Sequence, residues 1–130
     1  MNFAQLAEGQ AFEWGRTDCA SLVRRALTQM LGVDPWKKHL GVWTTRTGAL
    51  RVLKRTKPHK VLKSTGAVQV GTLFATAGDV ALGRHLDARG LLGLAMVLPS
   101  NKVLTSTPES GVYIVTGREF GGDVRFFRYG

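Results

Sequence analysis

The chain has 130 residues, 44% hydrophobic and 21% charged, a composition that sets it among globular proteins and excludes wholesale disorder. A single cysteine excludes an internal disulfide framework and any all-cysteine metal site, and the longest apolar run, residues 90–99, falls short of the ~20 residues of a membrane-spanning helix. Eighteen Lys and Arg against nine Asp and Glu leave a formal charge of +9, a field that favours nucleic acid, an anionic envelope polymer or an acidic protein face.

This length predicts one domain over residues 1–130, able to bury roughly two thirds of its unfolded surface without metals or disulfides. Met1 to Gln10 lack the basic start and apolar stretch of a signal peptide, so secretion by a signal of its own is not expected. In chain order, Asn2 opens a short helix carrying Phe3 and Leu6 and closed by Gly9. The second helix is the clearest element. Cys19, Leu22, Val23, Ala26, Leu27 and Met30 recur at the spacing of one apolar face, and Ser21, Arg24, Arg25, Thr28 and Gln29 occupy the other side. Thr17 or Asp18 supplies its N-cap, and Gly32 with Asp34-Pro35 its stop. A third helix starts near Thr47 and runs through Leu50, Val52 and Leu53 to Lys57-Pro58.

From Gly66 onward short apolar or β-branched runs take over. Val68 to Phe74, Asp79 to Gly83, Leu91 to Leu98, Lys102 to Thr107, Val112 to Thr116 and Val124 to Tyr129 read as strands separated by turn residues. Helices first and strands afterwards predict an α+β fold, N-terminal helices packed on a C-terminal antiparallel meander of five or six strands. Arg46, Arg51, Lys54, Arg55, Lys57, Lys60 and Lys63 form a run without an acidic residue. We expect that run to face solvent and to meet an acidic protein surface, since no aromatic residue interleaves it to stack bases.

The stretch Phe12-Glu13-Trp14-Gly15-Arg16-Thr17-Asp18-Cys19-Ala20-Ser21-Leu22-Val23 carries the chemistry. It sets the only cysteine in the first turn of an amphipathic helix, where unpaired amides and the positive end of the helix dipole favour thiolate. The same spacing lays Cys19 on the apolar face, where a free cysteine is usually a small buried hydrophobe. No His, Cys, Asp and Glu cluster has metal-ligand spacing, Gly121-Gly122-Asp123 reads as a turn, and no cofactor is expected.

Trp14-Gly15 followed by Asp18-Cys19-Ala20-Ser21-Leu22-Val23 resembles the signature of NlpC-type papain-like cysteine peptidases, mostly cell-wall hydrolases that cut peptidoglycan stem peptides. Ala77-Gly78-Asp79-Val80-Ala81-Leu82 is similar to the Pro-Gly-Asp strand of that family, and Leu91 to Leu98 and Lys102 to Thr107 to the two strands after it. Gly32-Val33-Asp34-Pro35 and Thr45-Arg46-Thr47-Gly48-Ala49-Leu50-Arg51 add a resemblance to the phage and prophage tail offshoot of the family. The resemblance implies a papain-like fold with Cys19 at the nucleophile position. The family's histidine base falls on Leu91, its third polar residue near Thr105, and its upstream tyrosine on Phe12. His85, in the loop before that strand, is the remaining candidate base, and His39 and His59 sit beside basic residues in the helical half.

Three readings follow. The first is a tail-tip or tail-assembly component, made in the host cytoplasm and carried in the virion, with other tail proteins as partners. The second is an active cysteine peptidase or amidase on peptidoglycan, using Cys19 with His85 and Thr105. The third, a nucleic-acid-binding domain, has neither a recognisable motif nor interleaved aromatics, so nucleic acid is not an expected partner.

Overall fold

The computed structural model describes residues 3–38, 43–83, 93–120 and 123–130. Helix α1 spans Phe3–Ala7, α2 Cys19–Leu31, α3 Arg46–Thr56 and α4 Pro58–Ser64. The strands are β1 Ala67–Val70, β2 Val80–Gly83, β3 Gly93–Leu98, β4 Lys102–Thr107, β5 Gly111–Thr116 and β6 Val124–Tyr129, with a 3₁₀ turn at Thr72–Phe74 and a one-turn helix α5 at Gly117–Phe120. The α+β expectation therefore holds. Among the described residues no helix is long and apolar enough to cross a membrane.

Local chemistry sets the helix ends as the sequence implies. Asp18 accepts the Ser21 amide at the start of α2, and Gly32 closes it in the left-handed conformation, φ 70°. Thr45 caps α3 through the Gly48 amide. Pro58 starts α4, a helix the sequence reading left out, because a proline that ends one helix is equally suited to the first turn of the next.

All strand pairs are antiparallel, in the order β1-β6-β2-β3-β4-β5. The expected simple meander is thus corrected: β2 to β5 form one, but β6 returns to lie between β1 and β2. The strand expected over 68–74 stops at Val70 and gives way to the 3₁₀ turn.

Helix α2 packs on β3 and β4. Leu22, Val23, Ala26 and Leu27 join Leu94, Met96, Leu104 and Phe127 in the main core, together with Trp36 and Trp43. A smaller cluster of Ala81, Ala95, Val97 and Val103 occupies the opposite face of the sheet. Met30, expected on the packed face, is 48% exposed in the last turn of α2, whereas Ser21 and Arg24, expected outside, are buried.

Candidate functional site

The site grows from the N-terminus of α2. A hydrogen-bonded loop leads into it. Thr17 donates its hydroxyl to the Ala11 carbonyl (2.7 Å) and accepts the Glu13 amide (2.7 Å), and Ser106 of β4 donates to the Thr17 carbonyl (2.5 Å). These bonds fix the chain just ahead of the cysteine against the sheet.

Asp18 is almost wholly buried, yet its carboxylate accepts four hydrogen bonds. They come from the Gly15 amide (2.7 Å), the Ser21 amide (3.0 Å), the Ser21 hydroxyl (2.7 Å) and the Trp43 indole N–H (3.2 Å). A buried carboxylate is tolerable only with such partners. The Gly15 turn requires glycine. Its φ is +84°, and a Cβ there would run into the Trp43 carbonyl. Trp43 packs edge-on against Trp36 (5.5 Å between centroids) and lies under the Arg24 guanidinium (5.3 Å). Arg24 in turn pairs with Asp34 through two bonds of 3.0 and 3.2 Å, and the Trp36 indole donates to Thr56 of α3. Trp-Gly, Asp-Cys and Gly-x-Asp-Pro thus meet in one internal network that ties α2 to the chain ahead of it and to α3. Sequence periodicity misses Arg24 and Trp43 because Arg24 finds Asp34 and the Trp43 ring, and Trp43 finds Asp18 and Trp36, through tertiary contacts.

Cys19 occupies the first position of α2 and is 8% exposed. Its thiol is pushed up to about 12, first by burial and second by the neighbouring Asp18 charge. Hydrogen bonds from the backbone at Leu94, Ala20 and Cys19 itself pull the other way without prevailing. At neutral pH the group is a thiol.

Thr105 is also buried and donates its hydroxyl to the Leu94 carbonyl (3.0 Å). Cys19 and Thr105 therefore converge on Leu94, one through the sulfur and the other through the hydroxyl. Tyr113, opposite Thr105 in the β4–β5 ladder, joins them. Its phenol is raised by burial and then by the Cys19 and Glu109 charges, which places it within electrostatic reach of the sulfur. Sequence reading passed over Tyr113, although strand alternation and the hairpin register put it across from Thr105. His85, Leu91 and His39 lie outside the described residues. His59, the histidine the structure describes, stands on α4 among Lys57, Lys60, Lys63 and Arg125, and is not among the groups that shift Cys19.

Asp79, of the Gly-Asp strand, is equally architectural. Arg128 of β6 forks onto its two oxygens (2.9 Å each), and the Thr76 amide donates to it at 2.9 Å. A cavity of about 400 Å³ lies on the sheet face turned away from α2, lined by Val97, Val103, Val124 and Phe126, and Cys19 is not part of it. Among the described residues no group of acidic, histidine and cysteine side chains could hold a metal.

A cysteine opening a helix that packs on an antiparallel sheet is the arrangement of the papain-like fold of the NlpC/p60 type. The chain is similar in structure to the NlpC/p60 domain of the peptidoglycan hydrolase SagA, with a TM-score of 0.59, 18% identity, and coverage of 95% of this chain and 91% of that one. What is shared at that identity is the fold. The chain belongs to the family described as a domain of unknown function, DUF6950, which matches residues 2–120. No curated protein matches it.

Proposed function

We propose that this chain is a tail-tip or tail-assembly component of a phage or prophage, in which the NlpC-type fold serves as a scaffold and Cys19 is not used as a nucleophile. The observation that carries the scaffold half is the state of Cys19: buried beside Asp18 and held as a thiol at about 12. Nucleophilic catalysis by cysteine requires the thiolate and a base within reach. Asp18 is not available as that base, since four internal donors already occupy its oxygens. The tail half is supported by the resemblance of residues 32–35 and 45–51 to the tail offshoot. In the structure those segments serve the fold, through the Gly32 cap, the Asp34–Arg24 pair and the Thr45 cap. Other tail proteins are the partners of this reading, and the virion is its place.

A hydrolase reading is favoured by one observation, the convergence of Cys19 and Thr105 at Leu94. The two separate cleanly. Purified protein incubated with muropeptides is expected to release no product, and a Cys19→Ala allele in a phage or prophage carrying the gene is expected to form normal tails that a deletion does not. Cleavage lost in both Cys19→Ala and His85→Ala would establish the hydrolase instead, and normal tails from the deletion would remove the assembly role.

A further inference from the structure

The two edges of the sheet are finished differently. At β5 the segment after α1 continues the ladder: the Gly9 amide donates to the Val112 carbonyl (3.0 Å) and the Val112 amide to the Gln10 carbonyl (2.9 Å). Strand β1 has β6 on one side and no hydrogen-bonded neighbour on the other among the described residues. Soluble proteins blunt such an edge with lysines, prolines or bulges. Residues 64–78 contain no charged residue and no proline, and Val68, Leu73 and Phe74 are 66%, 94% and 70% exposed. Nor is Phe74 left to a loose loop. Arg128, anchored on Asp79, also donates to the Phe74 carbonyl at 2.6 Å and holds that backbone in place.

Beside this edge stands the basic run. Helix α4 packs against β1 and follows directly on α3. Arg51, Lys54, Lys57, Lys60 and Lys63 recur at every third residue through both helices, all exposed. No acidic residue occurs anywhere in residues 35–78, and none of the five forms an ion pair among the described residues. Partly buried His59 registers the resulting field. Its pKa is lowered by desolvation first and then by Arg125, Lys60, Lys63 and Lys57.

We propose that the open edge of β1 together with α4 is a docking site for an extended segment of a partner protein in which acidic and apolar residues alternate. The register dictates the alternation. Ala67 and Gln69 pair with Tyr129 and Phe127, whose side chains belong to the helix-side core, while Val68 and Val70 pair with Arg128 and Phe126 on the opposite face. A strand added to β1 alternates in the same way. Its residues on one face meet the side that carries the lysines of α4, and those on the other meet the side of Val68 and Phe74. A second copy of this chain is the wrong occupant, because it would bring two unpaired basic runs together. Nucleic acid would engage the lysines but has no use for Val68. The inference stands whether or not Cys19 is catalytic.

The test uses the full chain and a fluorescent peptide of alternating Glu and Val, with an alternating Glu and Ser peptide and oligothymidylate as controls. The Glu-Val peptide is expected to bind, and joint replacement of Lys54, Lys57, Lys60 and Lys63 by Ser to weaken it about tenfold or more while flattening its salt dependence. Val68→Lys adds a cation at an exposed position, so charge alone would strengthen binding. We expect it to weaken binding by a similar factor with the salt slope unchanged, in a protein whose circular dichroism is that of the wild type. Absent binding, equal binding of the Glu-Ser peptide, tighter binding of oligothymidylate that Val68→Lys leaves alone, or self-association in sedimentation that Val68→Lys abolishes would each overturn the proposal.

Discussion

The start of α2 and the flank formed by α3, α4 and β1 treat polar groups in opposite ways. Around Cys19 the buried polar side chains have internal partners: Asp18 four donors, Ser21 its cap, Thr105 the Leu94 carbonyl, Arg24 the Asp34 carboxylate. Along the flank five cations stand in solvent with no acidic residue between them, next to a strand edge with its apolar side chains uncovered. Interactions satisfied internally specify a fold, and those left open are available to a partner. The stretch that looks most like chemistry in the sequence is therefore the most architectural part of the molecule, and the stretch that looks like a plain solvated face is the part left open to a partner.

Thiol chemistry offers the largest effect with which to break this contrast. Raising Cys19 from the ordinary 9.0 to about 12 lowers its thiolate fraction at neutral pH about a thousandfold. Alkylation by iodoacetamide near pH 7.5 is expected to be slower than that of an unfolded control by at least this order. The sign for stability follows from the same shift. The unfolded chain loses its thiol proton first, so the contribution is intact below pH 9 and declines as pH rises from there toward 12. Cys19→Ala should flatten that alkaline decline, read as the difference between the two unfolding curves. Rapid labelling at neutral pH would put Cys19 back among functional groups.

Next comes Asp18→Ala, which strands four donors inside the protein. We expect about 3–5 kcal/mol of destabilisation, and a fall in Tm of about 10 °C or more. Asp18→Asn keeps the acceptor oxygen and should recover part of the loss while easing the thiol downward, since it removes the second of the two causes that raise Cys19. Near-neutral stability for Asp18→Ala would show that the network is not what holds this end of α2. Gly15→Ala should cost about 2 kcal/mol or more, for both its positive φ and the Trp43 carbonyl behind it.

How much of this is legible in the sequence depends on how far apart the interacting residues are. The extent of helix α2 can be read, because its cap at Asp18 and its stop at Gly32 lie in one continuous stretch, whereas its buried face departs from the period at Ser21, Arg24 and Met30. The place of β6 between β1 and β2 cannot, since it rests on pairing between residues near 67–70, 80–83 and 124–129 that no local pattern announces. The site divides along the same line. That Cys19 opens a helix is local information. That the helix end is dry, and that Arg24 turns inward onto Trp43, is decided by elements the period of α2 does not contain.

The smallest expected effect is the sharpest probe of the open flank. His59 is partly buried, and after desolvation its depression comes from Arg125 on β6, from Lys60 and Lys63 on α4 and from Lys57 just ahead of it. The folded protein therefore binds this proton less readily than the unfolded chain, and the contribution to stability is present above the ordinary 6.5 and is lost as pH falls below it. An acidic segment lying beside α4 cancels part of the surrounding positive field and lets the imidazole pKa rise again. Because linkage is reciprocal, the same segment must bind more tightly as His59 takes up its proton. Titration of the His59 ring proton by NMR, with and without the Glu-Val peptide, is expected to show the midpoint move up on binding. Affinity should improve by less than about tenfold between neutral and mildly acidic pH, because surface charges are screened. In His59→Gln that pH dependence should disappear while binding at neutral pH stays close to wild type. A midpoint that does not move on binding would mean that the peptide sits away from α4, and the contrast between an architectural α2 and an open basic flank would then lose its charge half.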